Sequence, residues 1–176
     1  MKAAKKFRQY TCVNGSGKPW YMEKRLQRPE MIIMMGLQGS GKTTLCTQKF
    51  IAEGYVHISM DVLKNRRREE TALQECLSES RSCVIDNTNP TRAERERYIT
   101  KAKQNGFRIV GYFMQSRLKD CIARNEGRDR QVPLKGILAT FNKIEMPSLQ
   151  EGFDELNFVS IEEGKFVISK WKEDEI

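Results

Sequence analysis

The chain has 176 residues, 31 of them Lys or Arg against 23 Asp or Glu, with a single His and a formal charge of +8. Hydrophobic residues make up 39% and charged residues 31%, a globular rather than a disordered composition, and the length suits one domain with its own core. No run approaches the roughly 18 apolar residues of a membrane span. The basic N-terminus lacks the apolar run of a signal peptide. The five cysteines are scattered without a Cys-x-x-Cys pair, which argues against a disulfide framework or zinc finger and for a reducing, cytoplasmic setting.

The charge is uneven: net +6 over residues 1–30, +7 over 31–150 and −5 over 151–176. A basic body points to an anionic partner, although a merely solvated surface gives the same count. Residues 8–24 read as a β-hairpin around Asn14-Gly15-Ser16-Gly17, within a basic extension over residues 1–30. Met31 to Met35 is a continuous apolar run, the mark of a strand buried on both faces. The chain then alternates. Helices are predicted over about Lys42–Glu53, Glu69–Glu79, Pro90–Gln104 (capped by Asn89), Ser116–Asn125 and Pro133–Ile144. Strands are predicted over Tyr55–Ser59, Cys83–Ile85, Phe107–Phe113, Leu156–Ile161 and Phe166–Ser169. This alternation predicts an α/β fold of P-loop NTPase type, a mostly parallel sheet with helices on both faces. Its site is expected beyond the C-terminal ends of the strands.

Gly36-Leu37-Gln38-Gly39-Ser40-Gly41-Lys42-Thr43 matches G-x-x-x-x-G-K-[ST] between a strand and a helix, the context this phosphate-binding loop requires. The glycines let the backbone N–H groups turn inward around phosphate oxygens, and the helix N-terminus adds partial positive charge. The predicted ATP-binding set is Gly36, Gln38, Gly39, Ser40, Gly41, Lys42, Thr43 and Thr44, with Lys42 on the β/γ-phosphates and Thr43 on Mg²⁺. A second GSGK, Gly15 to Lys18, lacks the first Gly (Cys12 stands there) and is followed by Pro19, so it reads as a turn.

Asp61 and Asp86 each follow a predicted strand and so project at the rim of the phosphate loop. Carboxylates there can accept a proton from an attacking hydroxyl or hold Mg²⁺, directly or through water; each can also simply cap a following helix. His57 reads as a satisfied interior or edge residue rather than a catalytic one. Arg124 and Arg128 are four apart and share a predicted helix face, in a segment of about 124–135 that could close as a lid.

The segments GLQGSGKTT, SMD, VIDNTNPTRAERERYI, ARNEGRDRQVP and MPSLQEGF together resemble the kinase domain of polynucleotide 5′-hydroxyl kinases, over roughly residues 31–160. The resemblance implies a kinase domain at 31–176 that moves the γ-phosphate of ATP to the 5′-OH of a nucleic acid, with Mg²⁺. It implies Asp61 as general base, Lys42 and Arg128 as catalytic cations, Arg124 and Arg128 as lid contacts to ATP, and Thr43 with Asp86 at the metal. Asp61, Lys64, Asp86 and Asn87 would face the acceptor. Some members carry Arg three residues after the base; here that position is Lys64, and Arg66, Arg67 and Arg68 follow as compensating cations. Vertebrate members add a phosphatase domain with Asp-x-Asp-Gly-Thr, a motif this sequence lacks. Two other readings stay open: a kinase for a small metabolite or nucleotide, and an ATP-binding interaction module with little turnover. The sequence leaves oligomeric state and the role of residues 1–30 open, and predicts no membrane partner.

Overall fold

A computed structural model describes residues 28–172, so the predicted hairpin over 8–24 lies outside the described residues. The first strand, β1 (Glu30–Met35), is the middle of the sheet, and Met31 to Met35 are all buried. Alternation divides them between two cores. Met31, Ile33 and Met35 pack with Ile58, Leu73, Tyr98, Ile99 and Ala102 on one face. Ile32 and Met34 pack with Leu45, Cys46, Phe50 and Val84 on the other. Each such side chain contributes about 2 kcal/mol on burial, which is why a run with no polar interruption settles at the centre.

The phosphate loop leads into α1 (Lys42–Leu45), whose axis continues with π-helical geometry over Cys46–Ile51 and stops before Gly54, at φ 90. Then come β2 (Val56–Ile58), the one-turn α2 (Met60–Leu63) and α3 (Arg66–Ser78). The third helix starts three residues earlier than predicted, because the Asn65 side chain caps it by accepting from Arg68 N. Next are β3 (Cys83–Ile85), α4 (Arg92–Gln104) and β4 (Arg108–Met114). Asn89 does not cap α4 as predicted; Thr91 does, accepting from Glu94 N. The chain closes with α5 (Leu118–Glu126), α6 (Leu134–Phe141), β5 (Glu155–Glu162) and β6 (Lys165–Lys170). Ser116 is not the cap of α5 either: its hydroxyl accepts from Leu37 N and donates to Met114 O, tying the end of β4 to the phosphate loop.

The six strands run in the order β2-β3-β1-β4-β5-β6. The first five are parallel; β6 returns antiparallel to β5. Glu163 and Gly164 turn that hairpin at φ 49 and 76, both left-handed as a two-residue turn requires. Helix α1 covers one face, α3 and α4 the other, and a third apolar cluster of Leu37, Cys121 and Ile137 seats α5 and α6 over the strand ends. Among the described residues no helix is long and apolar enough to cross a membrane.

Candidate active site

The parallel strands end on one rim, and a cleft of about 260 Å³ opens there. It is lined by Gln38, Gly39, Gly41, Lys42 and Thr43 from the loop and its helix, Asp61 and Arg66 from the β2 side, Asp86, Asn87 and Thr88 after β3, and Arg128 and Val132 from the segment after α5. Gly36, Ser40, Thr44, Lys64 and Arg124 of the predicted set do not line it.

The loop is held from outside. Gly39 adopts φ +80, and a Cβ there would lie 2.2 Å from the carbonyl oxygen of Cys121, so α5 packs directly on loop backbone. Arg124 Nε donates to Gly39 O at 2.7 Å, so this arginine braces the loop. Arg128 does not share its helix face, because α5 ends at Glu126; Arg128 lies past the end and faces the cleft. Asn125 closes the base of the intervening loop: its amide donates to Val132 O and accepts from Val132 N.

Lys42 is buried, and its ammonium donates to Gly36 O and Leu37 O, at 3.0 and 2.6 Å. Burial pulls its pKa down to about 8 against the opposing pull of Asp86. A phosphate entering the loop would raise the pKa again by placing an anion beside the ammonium.

The two aspartates differ. Asp61 is exposed on α2, where the Ser59 hydroxyl accepts from Asp61 N. Asp86 is buried, and its Oδ2 lies 3.0 Å from His57 Nε2, so the one histidine is a partner of this carboxylate. No cluster of three or more His, Cys, Asp or Glu side chains able to hold a metal exists among the described residues. Thr43 and Asp86, facing one cleft, fit the sparse protein coordination of Mg²⁺, which keeps most of its waters.

One carboxylate that sequence reasoning missed organises the rim. Glu69 is buried and accepts from Asn87 Nδ2 (2.7 Å), Tyr98 OH (2.7 Å), Arg66 (2.8 Å) and Arg97 (2.7 Å). Burial alone would raise its pKa, but the hydrogen bonds from Arg66 and Tyr98 outweigh it and hold the pKa below the usual range. Asn87 in turn accepts from Met60 N, which fastens the short helix bearing Asp61. Lys64 sits at the C-terminal cap of that helix at φ 65, exposed and off the cleft; Arg66 lines the cleft instead. The signal for Glu69 was present as the i, i+3 spacing from Arg66, at the predicted start of a helix.

Residues 31–146 match the AAA domain family. The chain belongs to that family. It is 29% identical over 174 residues to the bifunctional polynucleotide phosphatase/kinase of Schizosaccharomyces pombe, covering 95% of this chain and 41% of that protein. A putative bifunctional polynucleotide phosphatase/kinase of Acanthamoeba polyphaga mimivirus is 29% identical over 157 residues, 83% of this chain and 37% of its own length. This AAA-family chain thus spans well under half of the curated relatives it matches, in keeping with the resemblance seen in its motifs. It shares its fold with a gluconokinase from Sinorhizobium meliloti, at TM-score 0.55 and 18% identity over 76% of this chain and 83% of that one.

Proposed function

We propose that this chain is an ATP-dependent phosphotransferase acting on the 5′-hydroxyl of a nucleic acid. The observation that carries the reading is the cleft itself: an exposed carboxylate, Asp61, faces the same space as Lys42, Thr43, Arg66 and Arg128. Phosphoryl transfer needs a proton acceptor and cations on opposite sides of one phosphorus, and little else. Both relatives are polynucleotide phosphatase/kinases by name, which supplies the acceptor class, polynucleotides.

In this reading Asp61 takes the proton of the 5′-hydroxyl as its oxygen attacks the γ-phosphorus of ATP. The bond from that phosphorus to the β,γ-bridging oxygen breaks, and ADP leaves. Lys42 and the loop N–H groups hold the β/γ-phosphates, and Arg128, on a lid of about 124–135 within a kinase domain of residues 31–176, meets the charge that builds on the transferred group. Mg²⁺, held by Thr43 and through water by Asp86, would neutralise charge on the same phosphates. Arg66, fixed by Glu69, takes the strand-phosphate contact expected of Lys64, with Asn87 beside it. The free thiols Cys46, Cys76, Cys83 and Cys121 suit a reducing cytoplasm.

The test is transfer of labelled γ-phosphate to 5′-OH DNA, 5′-OH RNA, nucleosides and sugars. Asp61→Asn is expected to lower transfer at least 100-fold, as loss of a general base does, while ATP still binds. Undiminished transfer in that variant, or transfer to small acceptors alone, overturns the reading.

A further inference from the structure

One buried polar atom of a residue that lines the cleft has no assigned role. Gln38 Oε1 is buried and has no hydrogen-bond partner, although Gln38 lines the cleft. A buried acceptor left without a donor is destabilising, and native structures seldom keep one without a reason. Turning the amide over does not relieve it. Gln38 Nε2 donates to Thr140 Oγ1 at 2.9 Å, and the Thr140 hydroxyl donates to Gly136 O at 3.0 Å. With its proton so committed, Thr140 presents only an acceptor to Gln38, which fixes the nitrogen toward α6 and the oxygen away from it.

The same cleft contains a donor in the opposite condition. Arg128 is exposed, and its guanidinium makes no hydrogen bond or ion pair to the described residues. The neighbouring lid arginine, Arg124, is already spent on Gly39 O. Phosphates of ATP carry no donor for Gln38, whereas a guanidinium has five and can serve a phosphate and a carboxamide together.

We propose that Gln38 is a positioning residue for the lid: on closure Arg128 donates to Gln38 Oε1. This inference rests on the phosphotransfer reading above. Gln38 then holds α6 through Thr140 and the middle of the lid through Arg128. Asn125 pins the base of the loop to Val132, so closure needs only a swing of residues 126–131. The third residue of the phosphate loop thereby reports an occupied loop to the lid. It also aims the Arg128 fork, so that one edge meets the carboxamide and the other the phosphates.

Hydrogen exchange of the peptide covering residues 126–133, with and without a non-hydrolysable ATP analogue and Mg²⁺, reads closure without needing any acceptor. The analogue should slow exchange about tenfold in the wild type, an amount one charge-assisted hydrogen bond can supply. Gln38→Leu and Arg128→Ala should each lose that protection, and Thr140→Val, which frees the Gln38 amide to turn over, should lose part of it. In turnover, Gln38→Leu and Arg128→Ala should each lower kcat about tenfold, and the double variant should be no slower than Arg128→Ala alone. Thermal melts of all variants identify any that fail to fold, and Thr140→Val carries the comparison if Gln38→Leu is one. A lid unprotected by nucleotide in the wild type, full protection in Gln38→Leu, or multiplying losses in the double variant overturns the proposal. Absence of transfer to nucleic acid, with the exchange pattern intact, would instead count against the acceptor assignment alone.

Discussion

Glu69→Gln tests whether the rim is built around one buried carboxylate. The substitution keeps size and shape but replaces an acceptor oxygen with an NH₂ group. All four neighbours are donors toward Glu69, so the new amide must face donors on one side, either Arg66 and Arg97 or Asn87 and Tyr98. Two hydrogen bonds to a charged acceptor would ordinarily contribute about 1.5–3 kcal/mol each. The Arg66 and Arg97 side chains are 57% and 41% exposed, however, so water takes them back and screening reduces each to about 0.5–1 kcal/mol. Adding about 1 kcal/mol for donors left facing the amide gives a loss of about 2–3 kcal/mol. In a domain of this size that lowers Tm by about 4–12 °C. The assay is urea unfolding at fixed slope together with kinetics. The variant should lose kcat about tenfold as Asn87 and Arg66 loosen, with the ATP Kd within about twofold, since no loop contact changes. The pH dependence has a defined sign. A carboxyl whose pKa is depressed on folding stabilises above its unfolded value, and that stability is lost as pH falls through the folded value. The wild type should therefore lose its advantage over Glu69→Gln in acid. An unfolding change under about 0.5 kcal/mol at neutral pH, with kcat unchanged, would refute the hub.

ATP affinity should depend on pH through Lys42. Its pKa of about 8 in the free protein rises when phosphates bind, so ATP binding takes up a proton above pH 8 and weakens toward about tenfold per pH unit. Titrations from pH 6.5 to 9.5 check this, and Lys42→Met should flatten the curve. Gly39→Ala should cost about 3 kcal/mol or more, from a Cβ 2.2 Å from Cys121 O at φ +80, and should abolish ATP binding; denaturation and an ATP titration measure both. Arg95→Met should cost about 3–5 kcal/mol in denaturation, because it strands the buried Glu151 carboxylate, to which Arg95 donates twice at 2.7 Å.

The elements most legible in the sequence were those dictated by local physics. The apolar run of β1 could bury only between two layers, and the glycines at 36, 39 and 41 adopt the left-handed backbone their spacing promised. Boundaries set by side-chain competition were misread. Asn89 carries the cap letters before Pro90, but its amide donates to Met34 O, and Thr91 caps the helix instead. Glu69 was invisible for another reason. Nothing local distinguishes a charge on a solvated face from one that folds under Asn87 and Tyr98, 18 and 29 residues away.

The segment that made the family resemblance specific proves to be chiefly a clip. In Asp86-Asn87-Thr88-Asn89, the Thr88 carbonyl accepts from Gly36 N, Asn87 accepts from Met60 N, and Asn89 donates to Met34 O. These bonds join the ends of β1 and β3 to the short helix after β2. Arg95 extends the clip: it donates to Asn89 O, Pro90 O and Glu145 O as well as to Glu151. The chain around residues 145–151 is thereby fastened to the start of α4. Three strand ends and one distant loop must hold a common geometry if Asp61 is to face the phosphate loop across the cleft. Each side-chain bond here constrains its residue to amide or guanidinium chemistry at a fixed place, so much of the motif's specificity comes from holding the rim. The two aspartates carry the opposite constraint: Asp86 has one oxygen on His57, and Asp61 keeps its carboxylate unpartnered among the described residues, which leaves it free to accept a proton in the proposed reaction.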